Sequence, residues 1–303
     1  MQFPSQLLKH LNPQEVRAVN APPRVGTELH GYVLVLDSPI RDVEWFTAKV
    51  TAEILRVGYK HFSEVVANEG GAVIGSLIAA GYPIVEIATL IAEKKLDPVQ
   101  LIEGKNTLQI ETVEKTKKGK LKLKRKVKGK KVQKIHSAQH KGFRFRNELK
   151  RLIAERAKDA VTFKELYLHT RIPLIIPVLD DQGNIQYLSH ETFPDMAVAD
   201  AVLATCAVQP YIARVEYKTP EKALYKFYSC SPKKTIHTEI ARERFIKTKR
   251  DGTFPSKVVI YGVRNPDNEL AGISKKTDYY HKLTQKRSAD PPPVDCSLRV
   301  RLF

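Results

Sequence analysis

Apolar and polar positions divide the first third of the chain into an alternation of strands and helices. Residues 31–36 (Gly-Tyr-Val-Leu-Val-Leu) are almost continuously apolar and end at Asp37. This is the pattern of a strand buried on both faces of a parallel sheet. Over residues 42–57 the apolar side chains are Val43, Phe46, Val50, Ile54 and Val57, a helical spacing, and Gly58 suits the C-cap. A second apolar run, Val65-Val66-Ala67, ends in the polar corner Asn68-Glu69, after which small residues lead into a helix expected to open at about Ala72. Such a β-α-β-α unit implies a right-handed crossover and a parallel sheet.

Farther on, helices are expected at 84–92 behind Pro83, at 98–102, at 147–158, at 195–205 and at 238–245. Thr162-Phe163-Lys164-Glu165 is a capping box for another short helix. Residues 172–179 are apolar but interrupted by proline, which suits a strand near a sheet edge or one bearing a bulge, with 185–189 as its hairpin partner. Residues 214–217 and 224–228 read as strands around a turn at Thr219-Pro220, and 257–263 as another apolar strand. The proline-bearing residues 1–27 read as an N-terminal arm, residues 28–264 as one α/β domain, and residues 265–303, strand-like only at the end, as a C-terminal tail.

Charge changes this picture. Residues 115–134 hold twelve Lys or Arg and no acid, and Lys120, Lys122, Lys124, Lys126, Lys128 and Lys130 alternate with Leu121, Leu123, Arg125, Val127 and Gly129. Period two with a turn signal at Lys118-Gly119 predicts a basic β-hairpin inserted at about 105–141. The whole chain carries a formal +18, which favours nucleic acid, an anionic membrane or an acidic protein as partner. The basic surface would comprise Lys120, Lys122, Lys124, Arg125, Lys126, Lys128, Lys130, Lys131, Arg144 and Arg146. The hairpin has no interleaved aromatic residues, so nucleic-acid contacts there would go to phosphates; Phe143 and Phe145 are the only aromatic candidates nearby.

With 42% hydrophobic and 28% charged residues the composition is that of a globular protein. No apolar run is long enough to span a bilayer, and the N-terminus lacks the basic and apolar regions of a secretory signal. Cys206, Cys230 and Cys296 have no CxxC spacing, which points to a reducing, intracellular and cytoplasmic setting. The nine histidines show no metal-ligand spacing, and neither a metal nor another cofactor is expected.

The order of segments across residues 31–263 resembles the patatin-like phospholipase family. The resemblance is carried by Leu34-Val35-Leu36-Asp37, the following helix, and Gly70-Gly71-Ala72-Val73-Ile74-Gly75-Ser76 through Tyr82. Thr162 to Tyr167, Ile172-Pro173-Leu174, Leu188-Ser189-His190-Glu191, Met196 to Val202 and Ala204 to Tyr211 add to it. It implies a three-layer fold, a mainly parallel sheet flanked by helices.

The resemblance also implies a chemistry: a Ser on a G-x-S-x-G elbow attacks an ester, an Asp in a late D-G-G turn activates it, and N–H groups of a glycine loop hold the oxyanion. Residue by residue, the Ser position is Glu69, the Asp position is Ser229, and the glycine loop is Ser38-Pro39-Ile40. Pro39 has no N–H to give. The expectation is a pseudoenzyme that acts as a binding or scaffold subunit of a larger assembly, its arm and tail able to pack on a partner. The alternatives are an acyl hydrolase using Glu69, Ser229 or Cys230, and a lipid binder without chemistry. In the pseudoenzyme reading Glu69 would act only electrostatically, at the start of its helix.

Overall fold

The computed structural model describes residues 2–21, 32–58, 62–103, 114–115, 121–122, 140–207, 212–230, 257–262 and 298–302. Its centre is the strand foreseen first. β1 (Tyr32–Ser38) pairs in parallel with β2 (Phe62–Asn68) in a register that sets Asp37 beside Asn68. The sheet continues on both sides. β5 (Leu174–Leu179) lies parallel to β2, and β6 (Ile185–Leu188) closes that edge as the antiparallel hairpin partner of β5. On the other side β9 (Lys257–Gly262) and β10 (Leu298–Leu302) follow, both parallel, giving the order β10-β9-β1-β2-β5-β6. The class is α/β, a mainly parallel sheet flanked by helices.

Period two decides which side chain meets which layer. Leu34, Leu36, Val65, Ala67, Leu174 and Ile176 face the larger core, while Val33, Val35, Val66 and Ile175 face a smaller one that includes Cys230. The larger core is filled by α2 (Val43–Val57), α3 (Glu69–Ala79), α6 (Phe143–Arg156) and α8 (Val198–Thr205). α2 ends where expected, with Gly58 left-handed at φ 80° and its N–H donating to the Ile54 carbonyl. α4 (Ile84–Ala92) and α5 (Pro98–Glu103) follow their patterns. α7 (Phe163–Thr170) starts with both hydrogen bonds of the Thr162/Glu165 capping box.

Several expectations need correction. The described part of the N-terminal arm is helical and contributes to the core. A 3-10 helix (Ser5–His10) buries Leu7 against Ala48, Ala88 and Ala92, and α1 (Pro13–Asn20) packs on α2. Lys9, His10 and Lys94 converge on Glu44, and Lys49 reaches Glu15 at 2.7 Å. The strand-like end of the C-terminal tail is a strand, β10, which joins the sheet beside β9.

Helix starts also move. α3 opens at Glu69, not near Ala72; α6 opens at Phe143, ahead of Asn147; α8 opens at Val198, after Asp195. Asp195 and Met196 form a turn instead, with the Met196 N–H donating to the Phe193 carbonyl, and only Ala197 is extended, bridging Thr162 while the Met196 carbonyl accepts the Phe163 N–H.

Of the region expected to form the basic hairpin, the described residues are a short antiparallel pair, β3 (Glu114–Lys115) against β4 (Leu121–Lys122); the alternating stretch beyond Lys122 and the turn at Lys118-Gly119 lie outside the described residues. β7 (Val215–Lys218) and β8 (Leu224–Phe227) form a second antiparallel pair. The helix expected at 238–245 lies outside the described residues.

Candidate functional site

Every residue of α3 is buried, and its glycines explain how it sits so close to the sheet. A Cβ on Gly71 would stand 2.5 Å from the Leu36 carbonyl oxygen, and one on Gly70 would stand 2.6 Å from that of Pro39. Both obstacles are backbone, so glycine is required for the approach. The strand therefore turns into the helix within one residue, and that residue is Glu69, left-handed at φ 45°. A non-glycine residue there costs backbone energy, a feature that clusters at functional corners.

The turn brings four segments together. Glu69 is 8% exposed, and its Oε1 accepts the Ser229 hydroxyl at 2.6 Å from a residue itself 4% exposed. The Glu69 N–H donates to Thr205 Oγ1 at 3.3 Å, and the Thr205 hydroxyl donates to Asn68 Oδ1 at 2.5 Å. Asn68 Nδ2 in turn donates to Asp37 Oδ1 at 3.3 Å. The end of β1, the end of β2, the last residue of α8 and the turn after β8 are thus tied into one network.

Burial pushes the Glu69 carboxyl from its ordinary 4.5 up to about 7; the Ser229 hydrogen bond pulls down, the Asp37 carboxylate pushes up, and the Ile40 N–H pulls down. Next to Thr205, burial and then the nearby Glu69 raise the Cys206 thiol well above its usual range. An acid that shares its proton near neutrality and hydrogen-bonds a hydroxyl could act as a general base.

The loop after β1 lies over this corner with its carbonyls toward it. The Pro39 carbonyl oxygen accepts the Asp42 N–H at 3.1 Å and lies against Gly70, and the Ser38 hydroxyl donates to that same carbonyl at 3.2 Å. Ile40 directs its N–H toward the Glu69 carboxylate.

A family model for patatin-like phospholipase matches residues 45–228, more than half of the chain. The chain belongs to the patatin-like phospholipase family. VipD from Legionella pneumophila is a similar solved structure, with 12% identity and a TM-score of 0.48 over 84% of this chain and 53% of that one. ExoU of Pseudomonas aeruginosa, solved in complex with SpcU, is similar at 11% identity and a TM-score of 0.38 over 78% of this chain and 44% of that one. The chain thus spans about half the length of these proteins. No curated protein matches it.

Of the residues singled out in the sequence, Glu69 and Ser229 meet directly, and Ser38, Pro39 and Ile40 form the loop above them. Cys230 is parted from them, packed with Val33, Val35, Val66 and Ile175 in the smaller core. Arg144 and Arg146 stand in the first turn of α6. Lys122 is described as backbone in β4, while Lys120, Lys124, Arg125, Lys126, Lys128, Lys130 and Lys131 lie outside the described residues. The hub role of Thr205 escaped sequence reading, since a Thr at the end of a small-residue helix carries no local signal of a long-range contact.

Among the described residues no group of three His, Cys, Asp or Glu could hold a metal ion, and no helix is long and apolar enough to cross a membrane. A cavity of about 180 Å³ lies between α2 and the α4–α5 turn, lined by Val43, Glu44, Ile91, Lys94, Leu96, Asp97, Pro98 and Val99, none of them a member of the Glu69 network.

Proposed function

We propose that this patatin-like domain is catalytically silent and serves as a binding or scaffold subunit in a larger assembly. Its basic surface would receive an anionic partner: nucleic acid, an acidic protein or an anionic membrane. The reading places the chain in a reducing, intracellular compartment, in keeping with the unlinked, buried Cys206 and Cys230.

The contact between Glu69 and Ser229 carries the proposal. In the family chemistry a hydroxyl stands on the elbow and a carboxylate faces it from the late turn. Here the pair faces in the same way with its members exchanged, and the elbow residue is a carboxyl group satisfied from within. The loop that would hold an oxyanion turns the Pro39 carbonyl toward the helix start, and the Ile40 N–H is directed at Glu69. Loss of one oxyanion donor costs about 10²–10³ in rate, and loss of a nucleophile costs more.

Affinity purification of the protein from its source, with and without nuclease, tests the binding role. A partner protein or nucleic acid recovered in defined proportion supports it, and recovery of the bare chain contradicts it.

One observation favours a second reading. A Ser229 hydroxyl donating at 2.6 Å to a carboxyl that titrates near 7 is the geometry of a nucleophile beside its general base. Fluorophosphonate labelling read by mass spectrometry separates the two readings. The silent corner predicts no adduct on Ser229, and an adduct lost in Glu69→Gln establishes the exchanged dyad.

A further inference from the structure

Helix α6 starts against the electrostatic preference of helices. Its first turn contains no acid and holds Arg144 and Arg146, although the N-terminal end of a helix favours negative charge. Gly142 enters the helix at φ 62°, and a Cβ there would strike Leu203 of α8 at 2.5 Å. The chain is therefore pressed onto α8 just before the helix begins.

The two phenylalanines that follow part company. Phe145 is fully buried in the core, whereas Phe143 is 54% exposed and is the one aromatic among the exposed large apolar side chains of the described residues. Lys141 Nζ lies 5.9 Å and the Arg146 guanidinium 5.4 Å from the Phe143 ring centre.

The acids of α6 do not offset this charge. Arg151 holds both Glu148 and Glu155 at 2.7 Å, and Arg146 reaches Asp200 at 3.3 Å. Lys141, Arg144 and Lys150 are exposed and have no ion-pair partner among the described residues. The twelve cations of residues 115–134 stand shortly before them in the chain.

We propose that the face presented by residues 141–150 binds single-stranded nucleic acid, with Phe143 as the stacking platform and Lys141, Arg144 and Lys150 as phosphate contacts. The inference rests on the basic-surface reading above and names its partner. Unpaired cations call for a polyanion, and an exposed ring flanked by cations suits a strand whose bases are unstacked next to their phosphates. A duplex hides its base faces from such a ring. A membrane surface is the weaker match, because one phenylalanine among polar and cationic neighbours offers little apolar area to insert.

The test is fluorescence-anisotropy titration of the full chain with labelled oligo(dT), with a duplex of mixed sequence, and with phosphatidylserine vesicles. Wild type should bind oligo(dT) with an affinity that falls steeply with salt. Phe143→Ala should weaken oligo(dT) binding about 10-fold and change duplex binding less than about two-fold. Phe143→Leu, which keeps apolar bulk for the fold, should behave the same way. The triple variant Lys141→Gln, Arg144→Gln, Lys150→Gln should weaken both ligands and flatten the log–log salt slope for the single strand by about 2.

Wild-type affinity in both the Phe143 and the triple variants overturns the inference. Binding to vesicles without binding to oligo(dT) also overturns it while leaving the basic-surface reading intact. Failure to bind oligo(dT), vesicles or poly-glutamate overturns both.

Discussion

The corner at Glu69 and the start of α6 both place charge at the N-terminal end of a helix, and they treat it in opposite ways. At the corner the group is an acid, the sign that suits the helix dipole; it is buried, holds its proton up to about pH 7, and is answered by a hydroxyl at 2.6 Å. At α6 the charge is basic, which opposes the dipole, and Lys141, Arg144 and Lys150 face outward. The corner ties four segments of the fold together, whereas the cations at the start of α6 are left to solvent. Under the proposals above, they are where a polyanionic partner would bind.

The contrast can be broken experimentally. Variants at the corner should alter stability and leave oligonucleotide affinity alone, and variants at α6 should do the reverse. The largest effect is expected from Gly71→Ala. Elsewhere in a helix this change stabilises by up to about 1 kcal/mol. Here the added methyl meets the Leu36 carbonyl, and urea denaturation should show a loss of about 3 kcal/mol.

Next comes the pH dependence of Glu69. Its folded value of about 7 lies above the ordinary 4.5, so between these values the folded chain holds a proton that the unfolded chain has released. The resulting stability is fully present below about pH 4.5 and is lost as pH rises through about 7, for a total of at most about 3 kcal/mol. Denaturation midpoints from pH 5 to 8 should fall in wild type, and this component should be absent in Glu69→Gln.

Ser229→Ala should cost about 2 kcal/mol by leaving a buried carboxyl short of a donor. It should also move the Glu69 transition to higher pH, since the lost hydrogen bond was pulling that value down. Thr162→Ala removes half of the α7 capping box and should cost about 1 kcal/mol, lowering the midpoint equally at all these pH values. Smallest, Phe143→Ala and Lys150→Gln should stay within about 0.5 kcal/mol of wild type, as exposed side chains do.

Much of the fold was legible because its elements obey local rules. The buried strand before Asp37, the left-handed Gly58 and the Thr162/Glu165 box all report on their own neighbourhood. The misread boundaries are places where distant contacts override those rules. Gly70 and Gly71 are poor helix formers, which deferred the expected start of α3 to Ala72. They are helical because only glycine fits beneath the Leu36 and Pro39 carbonyls. Arg144 and Arg146 are unfavourable in a first turn, yet α6 opens at Phe143, ahead of Asn147. Residues 195–197 carry a helical pattern but are drawn into hydrogen bonds around the start of α7.

The docking of Leu7 and of β10 was not legible, for a different reason. Each finds its partners far along the chain, and no short window of sequence holds that information.

The site was legible in part. Alignment to the family brought Glu69, Ser229 and the Ser38-Pro39-Ile40 loop to one corner, and the structure joins them there. The direction of the Pro39 carbonyl, the Thr205 hub and the separation of Ser229 from Cys230 needed coordinates.

The most direct measurement is turnover of phospholipid vesicles and of a p-nitrophenyl ester by the purified full chain, beside Glu69→Gln and Ser229→Ala. A silent corner predicts rates at the buffer background for all three proteins. Turnover by wild type that both substitutions abolish would contradict it and make the exchanged Glu69–Ser229 pair an active site.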